Sequence, residues 1–107
     1  MAAAKDKRKE LLSFIDKKAF DVIINTSPDK FKGKDKENFV GILKKTEAEK
    51  TKFHEVYKTA EEVKANFLDN THSNSAQKLN KELEHLKLPT LPQIKDDFLE
   101  LCKKLDI

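Results

Sequence analysis

Glycine is almost missing from this chain, which places it only at positions 33 and 41, and proline stands only at 28, 89 and 92. With two glycines, neither a phosphate-binding P-loop nor a dinucleotide fingerprint can be written anywhere, which excludes those two nucleotide-binding classes. The same poverty of turn residues, with no alternating runs of Val, Ile and Thr, speaks against a β-rich fold. Cys102 is the lone cysteine, so an intramolecular disulfide framework is ruled out, and a short chain without one is expected inside the cell. No uninterrupted apolar run reaches the length of a signal or membrane-spanning segment: Met1-Ala2-Ala3-Ala4 is followed at once by Lys5, Asp6, Lys7, Arg8, Lys9 and Glu10. The expectation is a cytoplasmic protein that does not engage a membrane. Asn25-Thr26-Ser27 fits a glycosylation sequon, a match without consequence where no export signal accompanies it.

What is present is helical material. Of 107 residues, 38% are charged and 37% hydrophobic, and seven are phenylalanine. That balance suits narrow apolar helix faces under a heavily solvated exterior. The length is that of one domain, able to bury roughly two thirds of its unfolded surface. The expected architecture is all-α: a compact single-domain bundle of about five helices over residues 1–107, with one long central helix, a C-terminal antiparallel αα-hairpin, and residues 1–4 disordered. The net charge of +3 is unevenly spread. Residues 1–36 hold ten bases against six acids, and the remainder sums to −1, so the basic excess is N-terminal.

The apolar spacing places the helices. Leu11, Leu12, Phe14 and Ile15 predict a first helix over about residues 5–15. Asp16 then serves as N-cap of a second short helix carrying Ala19, Phe20, Ile23 and Ile24, which Asn25 to Pro28 end. Ser27-Pro28 can start only a single turn or a loop before Gly33. A long helix follows from Lys34 to Lys58. Its ends are apolar and its middle, residues 44–52, has Ala48 as its only apolar residue, so that stretch is expected to cross solvent or lie over the edge of the core, with a loop as the alternative to helix. Thr59-Ala60-Glu61-Glu62 is a capping box that opens a helix with Val63 and Phe67 inward. Asp69 to Asn74 reads as a connector. Ala76, Leu79, Leu83 and Leu86 mark the next helix, Leu88-Pro89-Thr90-Leu91-Pro92-Gln93 an elbow with a second capping box, and residues 91–105 the last helix, striped by Ile94, Phe98, Leu101 and Leu105.

No catalytic set assembles from these residues, so the chain is expected to be non-enzymatic and without a cofactor, a metal or a small-molecule ligand. Glu82-x-x-His85 has the spacing of a di-iron bundle half-site, but the second such pair and the two further glutamates that the site needs are missing. His54 and His72 find no partner set. Cys102 precedes Lys103 and Lys104, which lower a thiol pKa, yet it neighbours Leu101 on an amphipathic helix and reads as packing. Phe53 and Tyr57, four apart, read as closing the core, with His54 and Glu55 in water.

Two functional surfaces remain. Phe14, Phe20, Phe31 and Phe39 lie in the less regular N-terminal half and are candidate anchors for a protein partner, or for self-association through an apolar helical face. Lys5, Lys7, Arg8 and Lys9, with Lys30, Lys32, Lys34 and Lys36, are candidate polyanion contacts. They define the alternative expectation, weak and sequence-tolerant binding of nucleic acid, since no helix presents base-reading side chains in series.

Overall fold

The computed structural model describes residues 6–107, and residues 1–4, expected to be disordered, lie outside that range together with Lys5. The structure is 80% helical, with five helices and no strand among the described residues. The first helix is built of three contiguous pieces: α1 (Lys7–Ile15), a π-helical segment (Asp16–Phe20) and α2 (Asp21–Ile24). Asp6 caps its start, its side chain accepting from the backbone N–H of Lys9 at 3.0 Å. Asp16 is not an N-cap. Its backbone is helical and its N–H still donates to the carbonyls of Leu12 and Ser13, so the chain runs on without a second start. A π turn inserts one extra residue, and this shift brings Phe20 and Ile23 back onto the side of Leu11, Leu12 and Ile15.

A 3₁₀ turn (Pro28–Lys30), capped by the Ser27 hydroxyl, leads to Gly33, whose φ of +59° is a conformation that glycine adopts at no steric cost. Helix α3 (Lys34–Glu55) then runs unbroken for 22 residues, so the charged middle at 44–52 is helix, not loop. Helix α4 (Ala60–His72) starts at Thr59, which accepts from Glu62 N–H at 3.1 Å. The Glu62 carboxylate reaches back one residue further than a standard box, to Lys58 N–H. The connector expected at Asp69 to Asn74 shrinks to Ser73. Its N–H donates to the Asp69 carbonyl and its hydroxyl accepts from Ala76 N–H, so one residue ends α4 and starts α5 (Asn74–His85). The polar residues before it are helical to His72, with the Thr71 hydroxyl donating to the Leu68 carbonyl at 2.7 Å. Helix α5 ends with Lys87 in the left-handed region and Leu88 N–H bonded to the Leu83 carbonyl, a Schellman closure. Helix α6 (Leu91–Lys104) follows the elbow.

The described chain measures 55 × 25 × 22 Å and carries two apolar clusters. The larger joins Leu11, Leu12, Ile15, Ala19 and Phe20 to Phe53, Val63, Phe67, Ile94, Phe98 and Cys102, with Phe67 stacked on Phe98 at 3.9 Å. The smaller joins Ile23, Phe39 and Ile42 to Leu83, Leu86 and Leu88. Burying each of these aromatic or branched side chains stabilises the fold by about 1.5–3 kcal/mol. The last two helices are joined by the elbow but do not pack as the expected antiparallel hairpin: α5 and its C-cap contribute Leu83 and Leu86 to the smaller cluster, whereas α6 packs on α1 and α4 in the larger.

Candidate functional site

Two of the four candidate phenylalanines offer no exposed anchor, and two are partly open to solvent. Phe20 and Phe39 are buried, Phe20 edge-on to Phe53 at 5.4 Å and Phe39 against Phe31 at 4.8 Å. Phe14 and Phe31 are half-buried, Phe14 lying 6.1 Å from Phe98. Phe53 is buried and sits edge-to-face with Tyr57 at 5.0 Å.

The basic residues separate into two groups. Lys7 and Lys9 are exposed on the first turn of α1, and Lys17 and Lys18 are exposed further along the helix. Lys30, Lys32, Lys34 and Lys36 are exposed around the 3₁₀ turn and the start of α3, beyond the far end of α2. The helix from residue 7 to 24 is about 27 Å long at 1.5 Å per residue, which sets Lys7 and Lys9 near one end of it and the lysines at 30–36 beyond the other. Lys36 pairs with Asp29 at 3.3 Å. Arg8 plays a different part. Its guanidinium donates to the carbonyls of Tyr57 at 2.7 Å, Phe53 at 3.4 Å and His54, closing the C-terminal end of α3 where helical carbonyls lack partners.

Around Arg8 lies a polar joint between the first helix and α3. His54 Nε2 is 2.8 Å from Asp16 Oδ2, and Lys50 Nζ is 2.5 Å from Asp21 Oδ1. That hydrogen bond raises the Lys50 pKa above its ordinary 10.5, against a smaller opposing effect of burial. His85 faces Asp35 at 3.4 Å, and among the described residues no three His, Cys, Asp or Glu side chains converge as a metal site. Cys102 is 1% exposed, and burial pushes its thiol above 9.0 while the Lys64 ammonium pulls partly back.

A cleft of about 330 Å³ opens where the two clusters meet. Its floor is Ala19, Phe20 and Ile23; one wall is the charged middle of α3, through Lys45, Thr46, Ala48 and Glu49; the other is α5, through Ala76, Leu79, Asn80 and Leu83. Asn70, Ser75, Pro89 and Leu91 complete it. A mainly apolar floor and α5 wall face a mainly polar α3 wall, the mixed lining of a binding cleft. Asn80 is 7% exposed, and among the described residues its side chain makes one hydrogen bond, from Nδ2 to the Asn70 carbonyl at 3.5 Å. The Thr46 hydroxyl donates to the Ile42 carbonyl at 2.8 Å.

No protein-family model, curated protein or solved structure matches the chain. The cleft therefore rests on its own residues. Sequence reasoning missed it because its walls come from four helices and from a polar stretch of α3. Two signals pointed there: Ala48, the one apolar residue in that stretch, and Asn80, which interrupts the stripe of Ala76, Leu79 and Leu83 on its inward side.

Proposed function

We propose that the chain is a non-enzymatic helical interaction module of the cytoplasm, binding the apolar face of a protein partner, or of a second copy, in the cleft between α2, α3 and α5. The observation that carries the reading is the cleft itself: an apolar floor of Ala19, Phe20 and Ile23 shared by both clusters, an α5 wall with Ala76, Leu79 and Leu83, and an α3 wall with Lys45 and Glu49. A groove between helices accepts an amphipathic helix through residues spaced i, i+3 and i+7. Among the described residues no helix is long and apolar enough to cross a membrane, which accords with a partner met in water. The test is an NMR titration of the isotope-labelled protein with a synthetic amphipathic helical peptide bearing leucines at that spacing, beside sedimentation equilibrium of the protein alone. Expected are shifts concentrated at Ile23, Thr46, Ala76 and Leu79, or self-association, either of them weakened at least tenfold by Leu79→Lys. A monomer whose shifts scatter over the charged surface, or do not occur at millimolar peptide, overturns the reading.

A second reading, sequence-tolerant contact with nucleic acid, draws on one feature. The N-terminus of α3 has no side-chain cap, and Lys30, Lys32 and Lys34 stand exposed around it without an ion pair among the described residues. Helix N-termini and lysines both favour phosphate. Duplex binding through three phosphates gives a slope of log K on log salt of about −2.7. Replacing these three lysines by alanine should abolish it, and binding that ignores salt would exclude this reading.

A further inference from the structure

We draw no further inference here: the strongest candidate, the groove between the first helix, α3 and α5 that is floored by Ala19, Phe20 and Ile23, carries nothing beyond the reading above, because nothing in the structure shows what covers it.

Discussion

Arg8 shows how far a residue's role depends on what the fold brings to it. In sequence it is one cation in a basic run; in the structure it closes α3 through the carbonyls of Phe53, His54 and Tyr57, 45 to 49 positions away. A hydrogen bond from a charged donor contributes about 1.5–3 kcal/mol when buried, and less here because the guanidinium is half-exposed. Arg8→Ala is therefore expected to lower stability in urea by about 1–2 kcal/mol, whereas Lys7→Ala, with no such partner, changes it by less than about 0.5 kcal/mol. Cys102 was readable in advance, since an apolar stripe runs beside it, and its burial has a pH consequence. The folded chain holds the protons of Cys102, Tyr57 and Lys50 more tightly than the unfolded chain does: burial raises the first two, and the bond to Asp21 raises the third. Each therefore makes the folded state bind more protons, so stability falls as pH rises, beginning near 9 and continuing past 10.5. Denaturation midpoints from pH 7 to 11 check this, and Cys102→Ala should flatten the first part of the decline. A rise in stability over that range would refute it.

At the scale of elements, stripes and some caps were legible, because a stripe repeats every turn and a cap involves residues within three positions, whereas Asp16 is no cap and Ser73 is one. Thr59, Ser27 and the stripe of α6 stand where the spacing placed them. What the periodicity could not show was continuity across a phase change. On an ideal α-helix the set Phe20, Ile23 and Ile24 lies about 100° or more around from Leu11, Leu12 and Ile15. That offset looks like two helices with Asp16 between them. The π segment absorbs it with one extra residue instead, and Asp16 is free to meet His54. If the phase shift is its whole structural purpose, deleting Lys17, an exposed residue within it, converts the rod to a regular α-helix with every apolar residue on the same face. The deletion should leave far-ultraviolet circular dichroism native and stability within about 1 kcal/mol. Inserting an alanine after Lys17 turns Phe20 and Ile23 a further 100° or so away and should cost about 3 kcal/mol or more. A deletion as harmful as the insertion would contradict this account.

At the scale of the molecule, the all-helical architecture followed from composition, but the division of its interior did not, because assigning a buried residue to one cluster or the other requires knowing which helices cross. The outcome is asymmetric. The larger cluster ties α1, α4 and α6 to the end of α3, with Phe98 at its centre; the smaller binds the start of α3 to the end of α5 and to Ile23. The cleft lies between them, and the two are joined by the first helix, by α3 and by the α4–α5 junction. Fewer buried contacts lower the free energy of local opening. Removing a buried phenylalanine costs about 3–5 kcal/mol in either cluster, but the consequences should differ in reach. Phe39→Ala is expected to speed amide exchange in the first half of α3 and in α5 while α4 and α6 stay protected. Phe98→Ala should lower protection in every helix, since the smaller cluster has too little apolar area to persist without the larger. Native-state hydrogen exchange resolved by residue reads both, and a uniform loss of protection in Phe39→Ala would mean that the two clusters unfold as one unit and that the cleft between them is rigid.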